Sequence, residues 1–450
     1  MKVSDRPADP ALHRCVLAAL ALAAAALGAG PARAQSLLEL YEAARSYDAS
    51  YQSARSQYEA TLARAEQSRA GTLPTVGLAG SMSRTAIDAN VRLANPAFGT
   101  QTATVSASQP LYRPVNQLNY EQGQKSIEAA QSQLQVAEQD LVVRVSQAYF
   151  DVLAAQDAVA FVAANKTAVS EQLASAKRNF EVGTSTITDT REAQARFDLV
   201  TAQQIAAEND LLVKKLALDQ LVGRPGTTPK PLLPPVNLPG LMPADVNTWV
   251  NQAIDEHPVL RQASVALDVA QLETRKAQAG NRPTLDLNGS YAMTHNDGSA
   301  SSRADSRTNT ASIALAFNLP LFAGYSIQNR IKETIALEDK ARTDLEAARR
   351  TISQNTRAAY FGVLSGLGQV KALEAAEASS QSALDANKLG YQVGVRINID
   401  VLNAQSQLFQ TKRDLARARY DVLVGSLRLR QANGSLKPED IQAVNRLLAP

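Results

Sequence analysis

The chain has 450 residues, and its 46 Lys and Arg nearly balance its 43 Asp and Glu, for a net charge of +3. This balance gives no electrostatic support for nucleic-acid binding, and the single cysteine excludes a disulfide-stapled scaffold. Aromatic residues make up only 5% of the chain, while Ala, Gln, Leu and Arg are abundant, a composition typical of long helices packed through small residues.

Residues 1–34 have the features of a secretory signal peptide. Arg6 and Arg14 precede an apolar run from Cys15 to Leu27, and Ala32-Arg33-Ala34 supplies the small-x-small pattern of a cleavage site. Because the apolar run is shorter than the ~20 residues of a membrane-spanning helix, we interpret it as a removable signal. The only cysteine lies within it, so the exported protein is predicted to have no thiol, no disulfide and no lipid anchor.

After the signal, the chain contains two similar halves. Phe180-Glu181-Val182-Gly183 returns as Tyr391-Gln392-Val393-Gly394, and Pro74-Thr75-Val76-Gly77-Leu78 returns as Pro283-Thr284-Leu285-Asp286-Leu287. Matches so far apart predict two copies of one large unit rather than a solenoid of short repeats. The predicted boundaries are a signal peptide at 1–34, a first repeat at 35–222, a proline-rich linker at 223–243, a second repeat at 244–434 and a C-terminal segment at 435–450.

Four stretches alternate polar and apolar residues, which predicts β-strands. They lie at 75–82, 102–108, 284–293 and 310–318, and a polar loop, 85–100 or 295–309, joins each pair. Each has about ten residues, the length of a tilted transmembrane strand. Four strands cannot close a barrel, and lipid does not tolerate an open edge, so membrane strands require that several chains pool them. A small soluble sheet packed on helices is the alternative.

The rest of the sequence predicts helices of two lengths. Long runs at Tyr112–Phe180 and Phe322–Tyr391 each correspond to about 100 Å of helix. The combined length of two shorter runs equals that of one long run. We therefore expect the chain to leave the strands in one long helix and to return in two shorter helices. The shorter runs lead into the strand pairs at 36–72 and 244–282, or return from the long helices to end at Gly223 and Gly434.

Heptad spacing in the last return run predicts a coiled-coil seam. Steps of 4 and 3 connect Ala404, Leu408, Thr411, Leu415, Ala418, Val422, Gly425 and Leu429. Thr411 and Gly425 weaken this seam, and the corresponding first-half run from Ala193 to Leu218 is less apolar. We expect unequal seams if the two helical hairpins face different surroundings.

The sequence offers little for catalysis. Only His257 and His295 follow the signal, and there is no Gly-rich phosphate loop, no His-Glu-x-x-His and no Asp-rich metal loop. His257 precedes Pro258, which predicts a helix boundary, and His295 falls in a polar loop. We therefore predict no enzyme activity, no catalytic or metal-binding residues and no cofactor.

The turns after the two long helices are the candidate functional sites. One turn offers acceptors in Thr188 and Asp189, and the other offers donors in Tyr391 and Arg396. This arrangement suits a bridge between the two hairpins. The alternative is that Asp189 and Asp400 only cap the helices that follow, as short polar residues often do after a Gly-ended helix.

The sequence resembles the TolC family of outer-membrane efflux ducts over the whole mature chain. The matching motifs are Pro283-Thr284-Leu285-Asp286-Leu287, Leu319-Pro320-Leu321-Phe322, Tyr391-x-Val393-Gly394-x-Arg396, Asp400-Val401-Leu402 and Gly434-Ser435-Leu436. The resemblance implies a mostly α protein with membrane β, a homotrimer whose twelve-stranded outer-membrane β-barrel continues into a twelve-helix periplasmic α-barrel of coiled-coil hairpins. The linker and the C-terminal segment would lie in an equatorial belt.

The same resemblance implies a passive exit duct for small molecules or type I secreted proteins. A periplasmic adaptor and an inner-membrane pump of RND, MFS or ABC type would open it at its periplasmic tip, and outer-membrane lipid would surround the barrel. The matching site residues are Thr188, Asp189, Tyr391 and Arg396 for the gate network, Asp400 and Asn403 for the pore constriction, and Val182, Gly183, Thr184, Val393, Gly394 and Val395 for adaptor docking.

One constriction position departs from the family pattern, because Asn403 stands where the family has a second Asp. We expect weaker cation selectivity as a consequence. Two other functions remain as alternatives. The first is a non-conducting exported coiled-coil scaffold, which does not account for four strands of membrane length. The second is the periplasmic adaptor itself, whose lipoyl-like module has no counterpart within either long helix.

Overall fold

The computed structural model describes residues 34–449, so the predicted signal peptide lies outside the described residues except for Ala34. The chain passes twice through the same series of elements. In chain order these are α1 (Leu37–Tyr47), α2 (Ala49–Ala70), β1 (Thr75–Ala86), β2 (Ala97–Tyr112), α3 (Pro114–Glu181), α4 (Ile187–Val222), α5 (Val246–Glu256), α6 (Pro258–Ala279), β3 (Thr284–Asp297), β4 (Ser306–Asn318), α7 (Ser326–Gln392), α8 (Asn398–Ala432) and α9 (Asp440–Asn445).

Each helix of the first half has a counterpart of nearly equal length in the second. The long helices α3 and α7 have 68 and 67 residues, and the return helices α4 and α8 have 36 and 35. At 1.5 Å per residue, α3 is about 100 Å long. It packs against α4 over one part of its length and against α2 and α6 over another. Within residues 34–449, no helix combines the length and the hydropathy needed to cross a membrane.

The four strands form one antiparallel sheet in the order β1-β2-β3-β4. Leu78 pairs with Val105, Val105 with Tyr291, and Tyr291 with Ala311. The strands are longer than the sequence pattern predicted. The backbone hydrogen bonds between strands continue through polar residues, where the alternation of polar and apolar side chains has ended. β3 reaches Asp297, so the prediction that His295 lies in a loop was wrong.

The protein's own helices do not cover this sheet. β1 and β4, which form its edges, are exposed at every residue. The exposed apolar side chains include Val76, Leu78 and Met82 on β1 and Ile313 on β4, of which Ile313 is 86% exposed. Because no helix of residues 34–449 packs extensively on the sheet, the alternative of a small soluble sheet on helices is not supported.

Both runs that lead into the strand pairs are broken, although each was predicted as one run. Asp48 separates α1 from α2, where its side chain accepts a hydrogen bond from the Tyr51 amide at 2.8 Å. Its carboxylate also accepts two bonds from Arg144, at 2.9 and 3.0 Å. His257 separates α5 from α6 just before Pro258, and this break confirms the predicted helix boundary.

The largest hydrophobic core surrounds the middle of α3. Its buried side chains come from α1, α3, α4, α8, the linker and the C-terminal segment, and include Leu40, Tyr149, Leu218, Leu232, Leu423 and Leu448. Tyr149 donates its hydroxyl hydrogen to the Lys230 carbonyl oxygen at 2.9 Å, which fastens the linker to α3. Helix α1, the linker and the C-terminal segment therefore meet half-way along the long helix.

The predicted α8 seam faces its partner helices. Six of its eight residues are buried: Leu408, Thr411, Leu415, Ala418, Val422 and Leu429. Steps of three and four residues keep these side chains on one helix face, which explains why periodicity alone identified them. Two antiparallel hairpins, α3/α4 and α7/α8, result, and α8 also packs on α3.

Candidate functional site at the hairpin turns

The turns that end α3 and α7 have the same conformation. Val182 has φ −91° and ψ 3°, and Val393 has φ −90° and ψ 3°. The next residues, Gly183 and Gly394, both have φ 78°, in the left-handed region where a side chain is strained. The duplicated motif thus fixes two equivalent helix ends.

These turns present apolar side chains to solvent. Val182, Val393 and Val395 are 72%, 65% and 75% exposed. Gly183 and Gly394 have no neighbouring atom within 4 Å of the position that a Cβ would occupy. Clustered apolar side chains on open surface are typical of interaction sites. The six residues predicted for adaptor docking, which also include Thr184, therefore all lie on accessible turns.

Asp189 has a local structural role. Its Oδ2 accepts hydrogen bonds from the Thr186 amide at 2.9 Å and the Thr186 hydroxyl at 2.8 Å, and Thr186 Oγ1 accepts from the Asp189 amide at 3.2 Å. This is the reciprocal capping box at the start of α4. Thr188 lies exposed one residue earlier. The capping interpretation therefore holds for Asp189, and a gate role has to coexist with it.

Tyr391 and Arg396 take part in two separate contacts. The Tyr391 hydroxyl oxygen accepts a hydrogen bond from Asn179 Nδ2 at 3.1 Å, which links α7 to α3. Arg396 Nη1 lies 3.7 Å from Asp400 Oδ2, one helical turn along. Within the single chain, Asn179 thus connects the two hairpins, although the sequence did not point to it, and the four predicted gate residues do not form one cluster.

Buried amides supply further links that the sequence analysis missed. Asn398, only 1% exposed, accepts from Gln172 and donates to the Asp189 carbonyl oxygen at 3.5 Å. Gln405, 3% exposed, donates to Asn165 Oδ1 at 3.4 Å. Buried amides are costly unless they are bonded, so these pairs fix the position of α8 on α3. For Gln405, the signal available in the sequence was its position next to Ala404 of the predicted seam.

The two predicted constriction positions each contact an arginine. Asp400 is partly buried and lies near Arg396, as described above. Asn403 is exposed, and its Oδ1 accepts a hydrogen bond from Arg196 Nη2 of α4 at 2.8 Å. Asn403 of the second hairpin is therefore in contact with a cation of the first hairpin.

A partly buried acid, Asp157, holds α8 on α3 further from the turns. The Tyr420 hydroxyl donates to Asp157 Oδ2 at 2.7 Å. Burial raises the pKa of the Asp157 carboxyl, while the bond from Tyr420 partly opposes that rise. Within residues 34–449 there is no cluster of three or more His, Cys, Asp or Glu side chains suited to a metal ion.

Duplicated helical hairpins, a four-stranded antiparallel sheet with open edges and paired Val-Gly turns together define the architecture of the chain. A model of the outer membrane efflux protein family matches residues 40–224 and 249–435. The chain therefore belongs to the outer membrane efflux protein family, which is not a class of enzymes.

Two relatives are similar over nearly the whole chain. Outer membrane protein TolC of Vibrio cholerae is 32% identical over 413 residues, which cover 92% of this chain and 93% of the relative. The alkaline protease secretion protein AprF of Pseudomonas aeruginosa is 30% identical over 417 residues, covering 91% and 86%. The crystal structure of the Campylobacter jejuni CmeC outer membrane channel matches with a TM-score of 0.78 at 16% identity, covering 92% and 90%. This last similarity is one of fold.

Proposed function

We propose that three copies of this chain form a passive duct through the outer membrane, an exit route for small molecules, for type I secreted proteins, or for both. The observation that carries the proposal is the bare four-stranded sheet, whose two edge strands are exposed along their whole length. Exposed strand edges seek partners, and lipid tolerates only a closed barrel. Three copies pool twelve strands, each long enough to span the hydrocarbon core at a tilt.

The helices of three copies would continue the barrel into the periplasm as a tunnel. Helices α3 and α7, about 100 Å long, greatly exceed the ~30 Å hydrocarbon core. The exposed apolar side chains on α4, including Ile205, Leu212 and Leu216, would pack against a neighbouring copy. The linker and the C-terminal segment would form the equatorial belt, since both pack on the middle of α3.

We further propose that the turn residues form a gate at the periplasmic tip. Thr188 and Asp189 of one hairpin would accept hydrogen bonds from Tyr391 and Arg396 of a second-repeat hairpin, including hairpins of the neighbouring copy. Arg396 is 58% exposed, and exposed ion pairs contribute about 0–1 kcal/mol each. Three symmetric copies would supply a few kcal/mol, which a docked partner can overcome.

A periplasmic adaptor with its inner-membrane pump, of RND, MFS or ABC type, is the proposed partner. The exposed valines of the two turns supply apolar contact area, and the glycines between them allow close approach of another backbone. Docking there would compete with the weak tethers described above. The duct itself needs no energy source, since the pump would supply it.

Single-channel conductance of the purified trimer in a planar bilayer tests the proposal. We expect a small conductance for the wild type and an increase of several-fold for Arg396→Ser, because removing the donor weakens the closed tip. Arg191→Gln, an exposed change on α4, is the matched control and should leave the conductance unchanged.

Two results would contradict parts of this proposal. An inserted trimer that never conducts would favour the non-conducting scaffold. A large conductance that is equal in the wild type and in Arg396→Ser would support the duct and contradict the proposed tether at the tip.

A further inference from the structure

A groove runs between α4 and α8, with α3 as its floor, on the side where Arg196 meets Asn403. It has a volume of about 350 Å³, within the range of small-molecule sites. Phe161 of α3 and Phe409 of α8 lie on its floor, and most of the exposed lining is polar. The groove is therefore a candidate binding site for a ligand that carries both a polar group and an aromatic or other apolar part.

The charge in this groove is positive. Arg196 and Arg413 both line it, and none of its lining residues, all within the described part of the chain, is Asp or Glu. Arg413 is already paired outside the groove, with Asp414 Oδ1 at 3.1 Å. Within residues 34–449, the hydrogen-bond partner of the Arg196 guanidinium is the neutral side-chain amide of Asn403, at 2.8 Å. A cation whose partner is a neutral amide favours an anionic group.

Unused hydrogen-bonding capacity adds to this arrangement. Ser406 lines the groove, and its hydroxyl oxygen is buried without a hydrogen-bond partner within residues 34–449. Gln203 and Gln410 add amide donors on opposite walls. Gln203 and Gln410 can therefore donate hydrogen bonds to a bound anion, whereas Ser406 Oγ is closed both to solvent and to a ligand.

We infer that the groove between α4 and α8 binds small amphipathic anions, with a carboxylate or sulfonate on Arg196 and an aromatic or other flat apolar body over Phe161 and Phe409. This inference rests on the proposed duct, because the groove faces the lumen if Asp400 and Asn403 line the constriction. It then assigns a substrate class to the wall of the duct: anions with an apolar body are held just inside the tip, and simple cations are not.

Isothermal titration of the purified, detergent-solubilised trimer with naphthalene-2-sulfonate tests the site. We expect saturable binding to the wild type, and an affinity about ten-fold lower for Arg196→Gln, because a charge-assisted bond is lost. Phe409→Ala, which removes the aromatic floor and leaves the cation, should also weaken binding. Arg191→Gln lies on the same helix outside the groove and should bind as the wild type does. The neutral analogue naphthalene-2-methanol should bind the wild type and Arg196→Gln alike, because it cannot form the charge-assisted bond.

Equal affinity of wild type and Arg196→Gln for the sulfonate would overturn the inference, as would equal binding of the alcohol and the sulfonate. Trimer size and helical content of each variant, measured alongside, identify a variant that has failed to fold. Because binding is measured in detergent, it does not depend on conduction. If the trimer binds the sulfonate but never conducts, the binding site stands and the proposed duct is wrong. If it conducts but does not bind the sulfonate, only the proposed binding site is wrong.

Discussion

Asp48 shows how one residue can shape a helix boundary. It ends α1, caps α2 through the Tyr51 amide, and receives two bonds from Arg144 of α3. These hydrogen bonds from Arg144 hold the pKa of the Asp48 carboxyl below its ordinary value. A lowered carboxyl pKa contributes stability above the unfolded value of 3.8 that is lost as the pH falls through the folded value. Asp48 thus fixes α1 and α2 on the long helix.

Two substitutions separate the roles of Asp48. Asp48→Asn keeps the capping acceptor and removes the charge, so we expect a loss of about 1 kcal/mol from the partly exposed pair with Arg144. Asp48→Ala removes the cap as well, and should cost about 1 kcal/mol more. Thermal unfolding of the purified protein measures both. If the two variants had the same unfolding temperature, the helix cap at Asp48 would contribute nothing to stability.

His257 predicts a pH dependence of stability. Its Nδ1 accepts a hydrogen bond from the Val259 amide at 3.1 Å, which requires the neutral ring. Burial lowers the pKa of the His257 imidazole below 6.5, although a hydrogen bond with the Gln431 backbone opposes the shift. The unfolded chain therefore binds more protons than the folded one just below pH 6.5, and stability falls as the pH drops through that window.

The substitution His257→Asn checks this dependence. Asn keeps an N-cap acceptor and does not titrate, so the decrease in unfolding temperature between about pH 7.5 and pH 5.5 should become smaller than in the wild type. His295→Asn, in the sheet, is the matched control and should keep the full decrease. If His257→Asn retained all of it, another group would be responsible.

At the scale of the element, helix ends decide how the hairpins close. Gly434, two residues after the end of α8, has φ 78°, and a Cβ there would lie 2.6 Å from His257 Cα. Gly183 has the same φ, with open space around it. The same backbone conformation thus occurs once in a crowded junction and once on a free turn.

This contrast predicts different costs for the same substitution. Gly183→Ala should cost about 1–2 kcal/mol of left-handed strain. Gly434→Ala adds a collision with the backbone between α5 and α6, and should cost about 3 kcal/mol or more in all. Yield of folded trimer and thermal unfolding measure the difference. Equal effects of the two variants would mean that the junction at Gly434 relaxes freely.

At the scale of the whole molecule, the sheet of one copy is unpaired at both edges. The apolar side chains of the two edge strands are exposed, and within the described residues they pack on no hydrophobic core. Neighbouring strands lie about 4.8 Å apart, which is within disulfide reach. We therefore expect β1 of one copy to be cross-linkable to β4 of the next.

A cysteine scan tests this edge pairing. Gly80→Cys in β1 is combined in turn with Cys at Ser312, Ala314 or Ala316 in β4, and oxidised membranes are examined for covalent oligomers. At least one pair should give dimers and trimers. Ala103→Cys, in the interior strand β2, replaces Gly80→Cys as control and should give monomers. Monomers from every β1 pair would contradict edge-to-edge assembly.

Local periodicity determined much of this protein. Alternation identified the four strands, heptad steps identified the α8 seam, and Gly after each long helix located the turns, because in each case the signal and the structure share one short stretch of chain. The break at His257 was readable for the same reason, since Pro258 restricts its neighbour. Resemblance across both halves then gave the family.

Only the tertiary structure decided which distant side chains meet. Asp48 pairs with Arg144, Gln172 with Asn398 and Arg196 with Asn403, and each pair joins different helices. Nothing in the neighbourhood of Asp48 announces a helix break, because the stabilising cation comes from α3. The sequence by itself determined the faces of the elements and the ends of the two long helices, since these follow from local sterics and from burial of one side. The polar contacts between hairpins depend on how those elements pack, and no local pattern encodes that.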